Sequence, residues 1–147
     1  MGSGPGVSDL KETEVIDIEH VFNQCKNLSS YPFDIGYTAF GLMNGSPLIC
    51  GGYNTTGRTN QCYIFKEDKF QHFTNMKHIR SSAWGIFINR DTFWISGGYD
   101  PHFQAQNTTE FVFLNGTVGP GPNLPAPYAR HCKVNLYNYL YAHKITP

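Results

Sequence analysis

Apolar residues in this chain come in short runs that alternate with polar turns, never at the spacing of a helix face. Runs at 37–43 and 83–88 each enter a polar turn, Asn44-Gly45-Ser46 and Asn89-Arg90-Asp91, and a second run returns at 48–50 and 92–96. Runs of that length folded back on themselves predict antiparallel hairpins. Asn44-Gly45 is the stronger turn, because both residues tolerate the positive φ of a type I′ turn. Paired glycines, Gly51-Gly52 and Gly97-Gly98, close each second run. A loop rich in polar residues leads to a third run, at 62–65 and 110–114, and in the first case the Glu67-Asp68 turn leads to a fourth at 69–73. No helical pattern with caps competes, so the expected class is all-β.

These groups of four runs repeat. Ile-Cys-Gly-Gly-Tyr-Asn at 49–54 returns as Ile-Ser-Gly-Gly-Tyr-Asp at 95–100. Thr-Glu-Val-Ile-Asp, Gln-Cys-Tyr-Ile-Phe and Thr-Glu-Phe-Val-Phe begin at 13, 61 and 109, a spacing of 48. A period in the forties, with four strands per period, predicts blades of a β-propeller. The units read as a partial blade at about 1–30, blades at about 33–75 and 80–118, and a partial blade at about 128–147. The chain starts just before a third strand and stops after a first hairpin. Where a third glycine pair is due stands Lys144-Ile145-Thr146-Pro147, and Gly2-Ser3-Gly4 lies near the slot of the preceding one. Blades bury their faces only against neighbours, so the expectation is an incomplete propeller, a piece of a larger ring whose unpaired faces could associate. The glycines read as structural, at places where a Cβ would meet a neighbouring strand. They are not a phosphate loop, since no helix follows them.

Composition narrows the partners. Eleven basic residues balance eleven acidic ones without any basic cluster, which argues against nucleic acid and anionic membrane surfaces. No apolar run approaches a membrane span, and no signal peptide is visible behind Met1, an absence that truncation would explain. The aromatic residues, 15% of the chain, alternate within strands and read as sheet core.

Cys50 ends a second strand and Cys62 begins a third, so a hairpin turning at 51–61 sets them opposite one another, and a disulfide is expected. A loop this short contributes about 2 to 3 kcal/mol by the chain-entropy estimate. The matched positions in the next unit are read as Ser96 and Glu110, which makes the bridge a local staple. Cys25 and Cys132 could pair with each other, or each could bond a missing blade. Zinc is disfavoured by the lack of any Cys-x-x-Cys or Cys-x-x-His spacing. Asn27, Asn54, Asn107 and Asn115 open four N-glycosylation triplets, all in expected loops or turns, whereas Asn44-Gly-Ser precedes Pro47 and reads as a turn.

The glycine pair, the aromatic Tyr63, another aromatic further on, and a basic residue opening the next blade together resemble the kelch-repeat family over nearly the whole chain. Thr-Glu-Val-Ile-Asp (13–17), Cys-Lys-Asn-Leu (25–28), Pro-Leu-Ile-Cys-Gly-Gly (47–52) and Leu-Pro-Ala-Pro-Tyr-Ala-Arg-His-Cys (124–132) are most similar to cysteine-containing, secreted kelch-motif proteins of invertebrates. Phe70 and Phe73 stand where such a repeat usually has Trp, and Cys62 stands where the neighbouring units have Glu. The resemblance implies a non-enzymatic, extracellular binding module.

The six histidines show no ligand spacing and read as surface or turn residues. His131 beside Cys132 lacks a motif for a third, orienting group, so no catalytic pair is expected, and no cofactor or metal is either. Arg80 and Arg130, read as openers of successive blades, belong either to a binding face or to strand-edge salt bridges or stacking on Tyr and Trp. The leading function is recognition of a protein or glycan by the loops at 53–59 and 99–106, whose sequences diverge after identical glycines. An intracellular kelch adaptor of the ubiquitin-ligase or actin-associated type would instead have reduced cysteines and unused triplets. A galactose-oxidase-like copper enzyme fragment is a remote third reading, with no matching motif.

Overall fold

The computed structural model describes residues 14–15, 26–27, 29–136 and 139–144, with side chains for 29–131. Every regular element among them is a strand. β1 (Glu14–Val15) pairs antiparallel with β2 (Lys26–Asn27). β3 (Ala39–Met43) and β4 (Ser46–Cys50) form a hairpin, and a small excursion follows, made of β5 (Tyr53–Asn54) and β6 (Gly57–Arg58). β7 (Gln61–Lys66) and β8 (Lys69–Asn75) complete a four-stranded meander in the order β3-β4-β7-β8. β9 (Trp84–Asn89), β10 (Thr92–Ser96), β11 (Thr109–Phe113) and β12 (Val118–Pro120) repeat that meander, and β13 (His131–Leu136) pairs with β14 (Tyr139–Lys144). Neighbouring units meet along their first strands, β3 on β9 and β9 on β13. Two consecutive blades flanked by two-stranded pieces, with no sheet closed on itself among the described residues, make an incomplete β-propeller, as the sequence predicts.

Turn chemistry explains the hairpins. Asn44 and Gly45 have φ of 47° and 81°, the type I′ pair that matches strand twist. Glu67 and Asp68 hold the same conformation at 52° and 61°, without a glycine to relieve it. Pro47, which cannot donate to a ladder, pairs with Leu42 and lies just outside the pairing of β4 with β7.

The core lies between the two blades. Ala39, Met43, Leu48, Cys50, Cys62 and Ile64 from the first face Phe93, Ile95 and Val112 from the second. Full burial of one such large side chain is worth about 1.5 to 3 kcal/mol. Each connector between units contributes a buried plug: Tyr31, Met76 and Leu124 are 4%, 2% and 7% exposed and recur at spacings of 45 and 48. Burial pushes the Tyr31 phenol well above its ordinary value, and neighbouring Tyr63 adds to the shift.

The glycine pairs join one blade to the next. Gly51 has φ of 65°, and a Cβ there would lie 2.5 Å from the Arg80 carbonyl oxygen. Gly97 meets the Tyr128 carbonyl in the same way. The second glycines, at φ of 112° and 93°, press on the Gly36 and Ser81 carbonyls at the start of their own blades. Gly52 N donates to Arg80 O at 2.9 Å and Gly98 N to Tyr128 O at 2.7 Å, so the close approach is hydrogen-bonded.

Cys50 and Cys62 are register partners and form the expected disulfide, with Cα atoms 4.1 Å apart inside the core. Its counterpart in the second blade is a correction. Ser96 faces Thr109, and Glu110 faces Ile95: the loop from β10 to β11 is two residues longer than the loop from β4 to β7, but the register takes up only one of them. Cys25 lies outside the described residues, as does the side chain of Cys132.

Candidate functional site

Each unit starts with a residue in the left-handed region: Tyr37, Ser82 and Arg130 have φ of 59°, 52° and 52° and recur at spacings of 45 and 48. None is glycine, so the surrounding structure must enforce the conformation. A hydrogen-bonded chain does so across the three units, with Ser82 N donating to Tyr37 O at 2.8 Å and Arg130 N to Ser82 O at 3.0 Å. The residues just before them anchor the loops that leave the glycine pairs. Gly36 and Tyr53 exchange two backbone hydrogen bonds of 3.0 and 2.9 Å, and Ser81 and Tyr99 exchange two of 3.1 and 2.7 Å. Both loops singled out in the sequence therefore rise beside the same strained starts.

Together these residues wall a cleft of about 370 Å³. In the excursion Tyr53 is the register partner of Arg58, whose guanidinium carbon lies 5.5 Å from the Tyr53 ring centre and 4.7 Å from that of Phe103. Arg58 Nε donates to Ser81 Oγ at 2.9 Å, which fixes the guanidinium in place. Phe103, at φ of 63°, stacks on Tyr99 with ring centres 4.4 Å apart. The turn that presents it is tied by Asp100 Oδ1, which accepts from His102 N at 2.9 Å and Gln104 N at 2.8 Å. Arg130 stands over the other wall, 5.9 Å from the Tyr99 ring centre. No carboxylate lines the cleft, and neither Arg58 nor Arg130 has an acidic partner among the described residues. Among the described residues, four of the seven non-glycine residues at positive φ line this one cleft.

Arg80 has a different role from Arg130. The two are not equivalent: Arg80 matches Tyr128, since the carbonyls of both receive the second glycine of a pair, while Arg130 matches Ser82. The Arg80 side chain is fully buried, donating to Gly97 O at 2.7 Å, Thr108 O at 3.1 Å, Thr108 Oγ1 at 3.2 Å and Glu110 Oε2 at 3.2 Å. Burial lowers its pKa, an effect opposed by the charge and hydrogen bond of Glu110. Glu110 is buried too, and its Oε1 also accepts from Lys77 N at 2.8 Å and contacts His78 Nδ1 at 3.1 Å. This network is structural and braces the second blade to its connector.

The remaining expected sites are dispersed. His72, His78 and His102 are exposed, but His131 is a correction to the surface reading: it is 4% exposed and its Nε2 lies 3.0 Å from Ser96 Oγ. Ser96 has no exposed surface, so this Ser-His contact offers a substrate no approach and joins the β10 end to β13. No group of three or more His, Cys, Asp or Glu converges among the described residues. Asn107 lies in a loop and Asn115 in a turn, as expected, whereas Asn27 and Asn54 fall in the short strands β2 and β5. Asn54 and Asn115 hold the same local turn, each Oδ1 accepting from the Thr two residues on, at 2.7 Å from its hydroxyl and 2.9 or 3.0 Å from its amide. In the third triplet the Thr109 hydroxyl is buried and donates to Pro122 O at 2.8 Å.

Phe103 falls in the loop at 99–106 that the sequence singled out, whereas Tyr37, Ser81 and Ser82 were not legible as site residues. The one signal available was that Tyr37, Ser82 and Arg130 share the spacing of the plugs Tyr31, Met76 and Leu124. No known family model matches the chain, and no curated protein is similar to it.

Proposed function

We propose that this chain is part of an extracellular, kelch-type β-propeller that acts by binding and not by catalysis, and that its ligand sits in the Arg58–Arg130 cleft. The observation that carries the reading is convergence. Two loops that diverge in sequence after the same glycine pair meet at one cleft, on backbone held in strained conformations by three consecutive units. Strain of this kind persists only where surrounding structure maintains it, and it collects at ligand-binding sites. The Cys50–Cys62 disulfide within the core supports an oxidising compartment, and the four Asn triplets fit the same location.

The test is a binding screen of the purified chain against arrays of glycans and secreted proteins, run beside two charge-matched variants. Arg58→Gln with Arg130→Gln removes two charges from the cleft, and Lys66→Gln with Lys69→Gln removes two from the exposed β7–β8 turn. Loss of a bound partner in the first variant alone supports the reading. Equal binding by all three proteins contradicts it.

A further inference from the structure

The chemistry of the cleft says what kind of ligand it takes. In a chain with zero formal net charge, the cleft holds two guanidiniums and no carboxylate. Arg58 is fixed through Nε by Ser81 and by the rings of Tyr53 and Phe103, and its terminal nitrogens make no hydrogen bond to any described residue. Arg130 is exposed, lies 5.9 Å from the Tyr99 ring centre and likewise makes no side-chain hydrogen bond to a described residue. One guanidinium fixed in place and a second on the facing wall, both with outer donors unspent, match an oxyanion, which each can bind with two parallel hydrogen bonds.

The body carrying that anion is constrained by the walls. A peptide adding itself as an extended strand would pair with free backbone groups. Those along the cleft are already bonded to one another: Gly36 with Tyr53, Ser81 with Tyr99, Ser82 with Tyr37 and Arg130 with Ser82. Recognition is left to side chains, namely the hydroxyls of Tyr37, Tyr53, Ser82 and Tyr99 and the exposed rings of Tyr37 and Phe103, 60% and 59% accessible. Hydroxyls beside aromatic faces suit the polar edges and C–H faces of a sugar ring, and the volume suits a compact unit. We infer that the cleft binds an anionic sugar, with its sulfate or carboxylate between Arg58 and Arg130. This inference rests on the binding reading above and adds the class of ligand.

The experiment is an NMR titration of the whole chain with four probes: N-acetylglucosamine 6-sulfate, glucuronic acid, neutral N-acetylglucosamine and a hexaglutamate peptide. The expected result is movement of the Ser81, Ser82 and Arg130 amide signals with the sulfated sugar or the uronic acid and none with the neutral sugar. The stronger of the two charged sugars identifies the anion as sulfate or carboxylate. Arg130→Gln should weaken that binding by about tenfold, the scale of one charge-assisted hydrogen bond. Arg130→Lys, which keeps the charge and guards against a folding defect, should retain part of it. Equal response to neutral and charged sugars overturns the inference while leaving the cleft a binding site, and so does a response to the peptide alone. Absence of any response at the cleft also overturns it, and the variant screen then judges the binding reading separately.

Discussion

Replacing Glu110 with Gln should destabilise the fold far more than a surface change would, because it strands a buried charge. Arg80 and Glu110 have 0% and 1% side-chain exposure and meet at 3.2 Å. Gln keeps the volume and one oxygen that can still accept from Lys77 N. It loses the negative charge and can turn an amide donor toward Arg80 Nη2, leaving the guanidinium with only neutral carbonyl and hydroxyl acceptors. Breaking one side of a buried pair costs about 3 to 5 kcal/mol. We place Glu110→Gln near 3 kcal/mol, since the Gly97 and Thr108 contacts survive, and Glu110→Ala near the top of that range. Urea unfolding followed by tryptophan fluorescence reads the difference, with Trp94 lying in β10 of the same blade. Because both groups are out of water, the loss should be the same in low and high salt. A Glu110→Gln loss below about 0.5 kcal/mol, the range of ordinary surface substitutions, would refute the view that this pair braces the blade.

Other outcomes follow from the same geometry. Removing the disulfide as Cys50→Ala with Cys62→Ala should lower stability by about 2 to 3 kcal/mol, measured against the oxidised parent in urea. Asp68→Gly should raise stability by about 1 kcal/mol, since it relieves a left-handed residue at φ of 61°, and an unchanged unfolding midpoint would contradict that. Tyr31 predicts a pH dependence: its folded pKa lies above the unfolded value of about 10, so stability is full below that pH and falls as pH rises beyond it. Tyr31→Phe should flatten that alkaline slope in pH-dependent unfolding. Gly51→Ala should cost more than about 1 kcal/mol, since it adds a Cβ at positive φ against the Arg80 carbonyl.

Much of the fold could be read from residues whose chemistry is local. Asn44-Gly45 marks a hairpin wherever it occurs between apolar runs, and Cys50 faces Cys62 because strand register follows from the hairpin. The glycine pairs were legible in role, although their partners, the Arg80 and Tyr128 carbonyls, belong to the next unit. What failed was counting across loops of unequal length. Two extra residues stand between β10 and β11 and the register takes up only one, so the partner of Ser96 is Thr109 and not Glu110, and a two-residue slip made Arg80 look like the equal of Arg130. The excursion β5–β6 hid in a loop because two-residue strands carry no period. His131 read as a surface or turn group, and nothing local marked Glu110 as buried, because their burial depends on Ser96, Arg80 and Lys77, which are distant in sequence. The cleft draws on five separate segments of three units, and no local pattern announces such a meeting.

The claim on which the rest depends is that residues 45 and 48 apart, from three consecutive units, join at one cleft. NMR couplings transmitted through hydrogen bonds test it most directly, from Ser82 N to the Tyr37 carbonyl and from Arg130 N to the Ser82 carbonyl. The account predicts both couplings, together with contacts between the Arg58 side chain and the Phe103 ring. Missing couplings with rapid solvent exchange at the Ser82 and Arg130 amides would contradict it, and the proposed binding site would fall with them.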